Sequence, residues 1–100
     1  MGTDFVPTGI ATGLSGSIFG KALTTVIVPG AGGAFIPAAG LFYAYGLGAN
    51  VVFEVLDDSG VWNAPAAAGV SPGLFCSDGV DVRFRNAGGG NQNVVTIKIG

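Results

Sequence analysis

The sequence has no histidine, one cysteine (Cys76), and only four basic and six acidic side chains in 100 residues. Each shortage excludes a class of function. Without histidine, the commonest general base and the commonest metal ligand are missing. One cysteine cannot close an intrachain disulfide, and without histidine it cannot build a structural zinc site. Cys76 is therefore expected to be a small buried hydrophobe. Four scattered cations and a pI near 4.5 argue against nucleic acid as a partner. A membrane-spanning helix needs about 20 uninterrupted apolar residues, and Pro29, Pro37 and the many glycines break every candidate run. No Lys or Arg precedes an apolar stretch in the first twenty residues, so a secretory signal is not expected. Position six is Val rather than Ser or Thr, so a myristoylation signal is not expected either.

What is abundant is apolar surface. Hydrophobic residues make up 49% of the chain, with 19 glycines, while 10% is charged against about 25% in an ordinary soluble domain. A chain of this length forms one domain and buries roughly 60–70% of the surface it exposes when unfolded. One small core cannot take up all this apolar material, and a net charge of −2 gives little repulsion between copies. Large exposed apolar patches mark contact sites. The composition thus predicts a chain that works packed against other chains.

Residues 33–57, GAFIPAAGLFYAYGLGANVVFEVLD, organise the rest. The stretch reads as a β-hairpin with arms at 34–45 and 50–57, broken at Gly46, Leu47 and Gly48. On the second arm Val51, Phe53 and Val55 share one face and Val52, Glu54 and Leu56 the other. That pattern predicts a strand covered on both sides. Pro37 makes the first arm an edge strand at that point, or bends it.

Residues 1–20 form a zone of their own with one charge, Asp4. Ile10, Leu14 and Ile18 fall four apart, but Gly9, Gly13 and Gly16 each cost a helix about 1 kcal/mol relative to Ala. An extended arm is predicted. Its apolar residues Phe5, Val6, Ile10, Leu14, Ile18 and Phe19 are candidate interface residues.

Residues 21–28, KALTTVIV, predict a strand with Leu23, Thr25 and Ile27 on one face and Ala22, Thr24, Val26 and Val28 on the other. A Pro/Gly turn follows at 29–33. Asp57, Asp58, Ser59 and Gly60 read as a turn, and 61–63 as a short strand carrying Trp62. Residues 64–72 read as a loop and 73–76 as a short strand. Val80, Val82 and Phe84 then alternate with Asp81, Arg83 and Arg85, giving one buried and one wet face. NAGGGNQN at 86–93 predicts a surface loop. The last strand, 94–99, carries Val95, Ile97 and Ile99 on one face and Thr96 and Lys98 on the other. The sum is an all-β chain: an antiparallel β-sandwich of six to eight strands over 21–100, with an extended N-terminal arm at 1–20. Short loops suggest a meander or Greek key; a small jelly roll is the alternative.

Little here carries chemistry. Asp57 and Asp58 precede Gly60, but the D-x-[DN]-x-[DN]-G calcium frame is missing, so turn chemistry is the expectation. Gly30, Ala31, Gly32 and Gly33 follow a strand without the helix or lysine of a phosphate-binding loop. Asp81, Arg83 and Arg85 project from one strand face and either pair across strands, with Glu54 or Lys98, or form a charged rim that orients a neighbouring subunit. Tyr43 and Tyr45 share a face with Leu41 by alternation; with Trp62 they could make a sugar platform, but core or interface packing is expected. The reading assigns no catalytic residue, metal or cofactor. It offers Tyr43, Tyr45, Trp62, Arg83 and Arg85, with the arm, as interface candidates.

Taken together these segments resemble the small β-sandwich decoration, or cement, proteins of tailed bacteriophage capsids. The likeness rests on a low-charge Gly/Thr/Ala-rich arm, ALTTVIVP, a Gly-rich turn, a long apolar strand leading into VVFEVLDDSG, then DGVDVRF, a Gly/Asn loop and VVTIKI. It covers most of 21–100 and departs at 64–72, which is richer in loop than that group. The resemblance implies a virion protein, made in the host cytoplasm, that binds the major capsid protein on the capsid surface. It also implies a trimer placed where several capsid subunits meet, resisting outward pressure. A tail, neck or fibre component is a related reading. A carbohydrate-binding module is the alternative from another class.

Overall fold

The computed structural model describes residues 21–100, so the expected arm at 1–20 lies outside the described residues. Eight strands follow in order: β1 (Thr24–Val28), β2 (Ala34–Phe35), β3 (Gly40–Leu47), β4 (Val51–Leu56), β5 (Trp62–Asn63), β6 (Leu74–Ser77), β7 (Val82–Asn86) and β8 (Gln92–Lys98). They form two four-stranded sheets. Sheet A runs β1-β8-β3-β6 and sheet B runs β2-β7-β4-β5. Every pairing is antiparallel. The described chain is therefore an all-β sandwich, and its strand order is that of an eight-stranded jelly roll. No helix occurs among the described residues.

The expected hairpin over 33–57 is not there. Its arms belong to different sheets: β3 pairs with β6 and β8, and β4 with β5 and β7. The backbone at the Gly-rich break bonds elsewhere. Gly48 N–H donates to the Asn93 carbonyl at 2.8 Å, and the Asn50 carbonyl accepts from Ala87 N–H at 3.0 Å. Each arm turns one face into the core between the sheets and is flanked on its edges by two strands of its own sheet. The predicted first arm is itself split. Ala34 and Phe35 pair with β7 in sheet B, and Pro37 interrupts the ladder before β3 starts in sheet A. Pro37 is fully buried, and its carbonyl accepts from Ser77 Oγ at 2.8 Å. The proline carries the chain from one layer to the other.

The core lies between the sheets and is built on phenylalanine. Phe53 packs at 5.2 Å, centroid to centroid, against both Phe75 and Phe84, and Phe42 stacks on Phe75 at 5.4 Å. These are favourable aromatic spacings, worth about 0.5–1.5 kcal/mol per pair beyond area burial. Val28, Ala44, Val51, Val82 and Val94 complete the cluster, with Phe35, Leu47 and Val55 packed against it. On β7 the alternation holds: Val82 and Phe84 are buried while Arg83 and Arg85 look out. Val80 falls before the strand and is exposed. On β8 the inward side is the one with Val94 and Thr96, which leaves Val95 and Ile97 facing out.

The turn after β1 and the loop after β7 clasp each other. Ala31 N–H donates to the Gly88 carbonyl and Gly32 N–H to the Asn86 carbonyl, at 2.7 and 3.0 Å. A Cβ on Gly30 would stand 2.6 Å from backbone atoms of Gly89, so only glycine fits there. The predicted surface loop is exposed at 87 and 89–91, its ends at Asn86 and at Gln92 and Asn93 belong to β7 and β8, and it forms half of a tight junction.

Candidate functional site

The two sheets turn unlike faces to solvent. On sheet B the outward residues Glu54, Arg83 and Arg85 form a charged ladder beside Val52, Leu56 and Trp62. Glu54 stands opposite Arg83 on β7, and Arg85 is the next outward residue along that strand. Arg83 Nε donates to Glu54 Oε1 at 2.7 Å and Arg85 Nε to Oε2 at 3.0 Å, so both carboxylate oxygens are engaged. The Arg83 guanidinium lies 4.1 Å from the Trp62 ring centroid, a cation–π contact. Burial of the Glu54 side chain, 8% exposed, pushes its acidity down, but the hydrogen bonds from Arg83 and Arg85 and their charge outweigh this. The carboxyl is held below its ordinary range. Of the two partners considered for the charged row of Asp81, Arg83 and Arg85, Glu54 is in place against both arginines, and Lys98 sits in the other sheet. The ladder also caps the outer side of β4, which is why that strand reads as covered on both faces.

On sheet A no outward strand residue is charged. The pairings Thr25–Val95, Ile27–Asn93, Tyr43–Ile97, Tyr43–Leu74 and Leu41–Cys76 set those side chains on one surface. Ile27 and Tyr45 are each 63% exposed, Leu23 is 52% exposed, and Leu41, Tyr43, Leu74 and Val95 are half-buried. Cys76 is exposed on this surface, not buried as the sequence suggested, because it falls on the outward parity of β6. Such a continuous uncharged face is unusual on a soluble monomer. Among the described residues, sheet A also presents β1 as an edge strand with no charge, no proline and no bulge inside Thr24–Val28. Edge strands without those defences template pairing with another chain.

The sequence-predicted candidates separate across this geometry. Tyr43 and Tyr45 belong to sheet A and Trp62 to sheet B, on opposite sides of the sandwich. They cannot form one sugar platform. Tyr45 is the extra residue where the β3–β8 register shifts between Ala44 and Gly46, so it does not continue the Leu41 and Tyr43 row as simple alternation predicts. Arg83, Arg85 and Trp62 are brought together. Phe5, Val6, Ile10, Leu14, Ile18 and Phe19 lie outside the described residues. Reading the sequence missed Ile27, Val95, Leu41 and Leu74 as surface. The alternation of 21–28 and of 94–99 holds that signal, but not which side faces the core.

The acidic turns do structural work. Asp57 Oδ1 accepts from Ser59 N–H, Ser59 Oγ and Val61 N–H, each at 2.9 Å, and Oδ2 accepts from Asn63 Nδ2 at 3.0 Å. The bond from Val61, then those from Asn63 and Ser59, draws its pKa down to about 2. Asp78 accepts from Asp81 and Val80 N–H and is lowered for the same reason. No group of three or more metal-ligating side chains gathers among the described residues. No family model, curated protein or solved structure matches the chain.

Proposed function

We propose that this protein is a virion structural protein. It binds the outside of a phage capsid lattice, with the major capsid protein as its partner, and bridges subunits as a decoration or cement protein. It acts as a homotrimer on the virion surface, and no catalytic step is part of its work. The observation that carries this reading is the uncharged outer face of sheet A, set against a sheet B whose outer face carries the paired charges Glu54, Arg83 and Arg85. One side is suited to lie on protein, the other to meet water. A contact of about 800 Å² per partner is enough for a standard interface. Repetition over a lattice adds avidity without further chemistry. The jelly-roll architecture recurs in viral capsid and lectin domains, so fold alone does not choose between them.

The test is co-sedimentation of the purified chain with capsids of the virus that encodes it, assembled without it. Saturable binding at a fixed ratio to the capsid protein, and density for the chain on the capsid exterior, are expected. Binding to a glycan array with no capsid binding would replace this reading with a carbohydrate module. Density in the tail, neck or fibres would move the protein within the virion.

A further inference from the structure

We infer that two copies of this chain pair edge to edge through β1, the two strands running antiparallel about a two-fold axis at Val26. The first argument is the edge itself. β1 and β6 end sheet A, and β2 and β5 end sheet B. β2 and β5 are two residues long and β6 is four, while β1 has five. Thr24, Thr25 and Ile27 on β1 are exposed. Shortness and charge ordinarily keep an edge from templating another strand, and β1 has neither. The second is the margin around it. β1 and β2 lie against each other, one at the border of each sheet, and together make one side of the sandwich. Leu23 before β1, Ile27 on it and Ile36 just past β2 are 52%, 63% and 47% exposed. No charged side chain occurs from Ala22 to Phe53.

The third argument selects a second copy as the occupant: the strand is its own complement. Residues opposed across an antiparallel pair must share a face of the sheet. The register centred on Val26 meets that condition, setting Thr24 opposite Val28 of the second copy and Thr25 opposite its Ile27. Every residue of Thr24–Val28 is β-branched and none is charged, so the opposed pairs pack well and no like charges meet. A net charge of −2 adds little repulsion between copies. The two A sheets become one sheet of eight strands, and their uncharged outer faces become continuous. Five paired residues and their flanking margin make a small contact, so the pair forms and parts with concentration. A two-fold contact joins a copy to one outside its own trimer. The inference therefore goes beyond the particle reading and does not rest on it.

The experiment uses the full chain in solution without capsids. In sedimentation, the average mass should double between micromolar and millimolar concentration. In a sample mixed from differently labelled copies, cross-relaxation between the Val26 methyls of the two copies is expected. Val26 stands opposite Val94 on the core side of sheet A, so packing of outer faces against each other cannot produce that signal. Thr25→Lys should weaken the pairing about tenfold with the thermal midpoint unchanged, because each lysine lies diagonally beside its twin across the new ladder. Mixing the Thr25→Lys and Thr25→Glu chains should restore it as a pair of unlike copies. A mass that ignores concentration, no Val26 signal between copies, or undiminished association of Thr25→Lys overturns the inference. Capsid binding is read separately. A chain that pairs through Val26 but ignores capsids sinks the particle reading and leaves this one standing.

Discussion

The side-chain amide of Asn86 bonds one sheet to the other: its Nδ2 donates to the Val28 carbonyl at 2.9 Å, across 58 residues of sequence. The same nitrogen donates to the Gly90 carbonyl at 2.8 Å, and Oδ1 accepts from Gly88 N–H at 2.9 Å. Asn86 is 0% exposed, so no water replaces these bonds if the amide is lost. Each buried polar group left without a partner costs about 1–3 kcal/mol. Asn86→Leu should therefore destabilise the fold by roughly 3 kcal/mol, measured by urea denaturation. Asn86→Asp should be as harmful, because a carboxylate cannot donate to Val28 and Gly90. Full stability in either variant would mean the junction is held by something else.

The glycines of that junction give a paired prediction. Gly30→Ala drives a Cβ into the Gly89 backbone and should cost about 2 kcal/mol or more, since backbone cannot move aside. Gly89→Ala meets nothing within 4 Å. It should be neutral or stabilising by about 0.4–1 kcal/mol, through loss of freedom in the unfolded chain. Thermal midpoints of the two variants, compared side by side, check both signs.

Glu54 and Asp57 set the acid limit. Both have lower pKa values folded than unfolded, Asp57 falling from 3.8 to about 2. The unfolded state then binds the proton first, so the stability these groups add is complete above their unfolded values and is lost as pH falls through the folded ones. The urea midpoint should hold from pH 7 to about 5 and then drop as pH descends from the ordinary carboxyl range. Glu54→Gln should flatten the first part of that drop. At neutral pH it should cost about 1–3 kcal/mol, because two partly buried guanidinium groups lose a charged acceptor. An unchanged acid profile in the variant would remove Glu54 from the account.

Sheet A offers a test of contact without a cost in folding. Ile27 is 63% exposed, and a surface change of this kind usually moves stability by less than about 0.5 kcal/mol. Ile27→Lys together with Val95→Lys should leave the thermal midpoint within a few degrees and improve solubility. Capsid binding should fall at least tenfold. Arg85→Ala on sheet B should cost stability but leave binding nearly unchanged. The reverse outcome would assign the contact to the other face.

The local structure was legible because it depends on near neighbours. The alternation of Val82, Arg83, Phe84 and Arg85 gives a strand and its faces, and Asp57 with Gly60 gives a turn, whatever the rest of the chain does. What was not legible is partnership. An apolar run, a Gly-rich break and a second apolar run describe a hairpin and a crossing between sheets equally well. The deciding bonds come from Ala87 and Asn93, some forty residues away. Cys76 fails for a related reason. Its residue type favours the interior, but the pairing of β6 with β3 sets its parity, and parity is a property of the assembled sheet. The arginine–glutamate ladder was half legible: like spacing on β7 named the arginines, and only the register named Glu54 as the partner they share.

The place of β8 has a consequence for biosynthesis. It lies between β1 and β3, so the last of the described strands to be translated fills the slot between the first and the third. Until Gln92–Lys98 has cleared the ribosome, β1 has no neighbour on its ladder side and the phenylalanine cluster has an open roof. Until residue 98 is made, β1 has no partner among the described strands and β3 has only β6, which makes the nascent chain a client for chaperones. Stalling synthesis before residue 92 should yield a protease-sensitive chain, and releasing it past residue 98 should yield the resistant sandwich in one step.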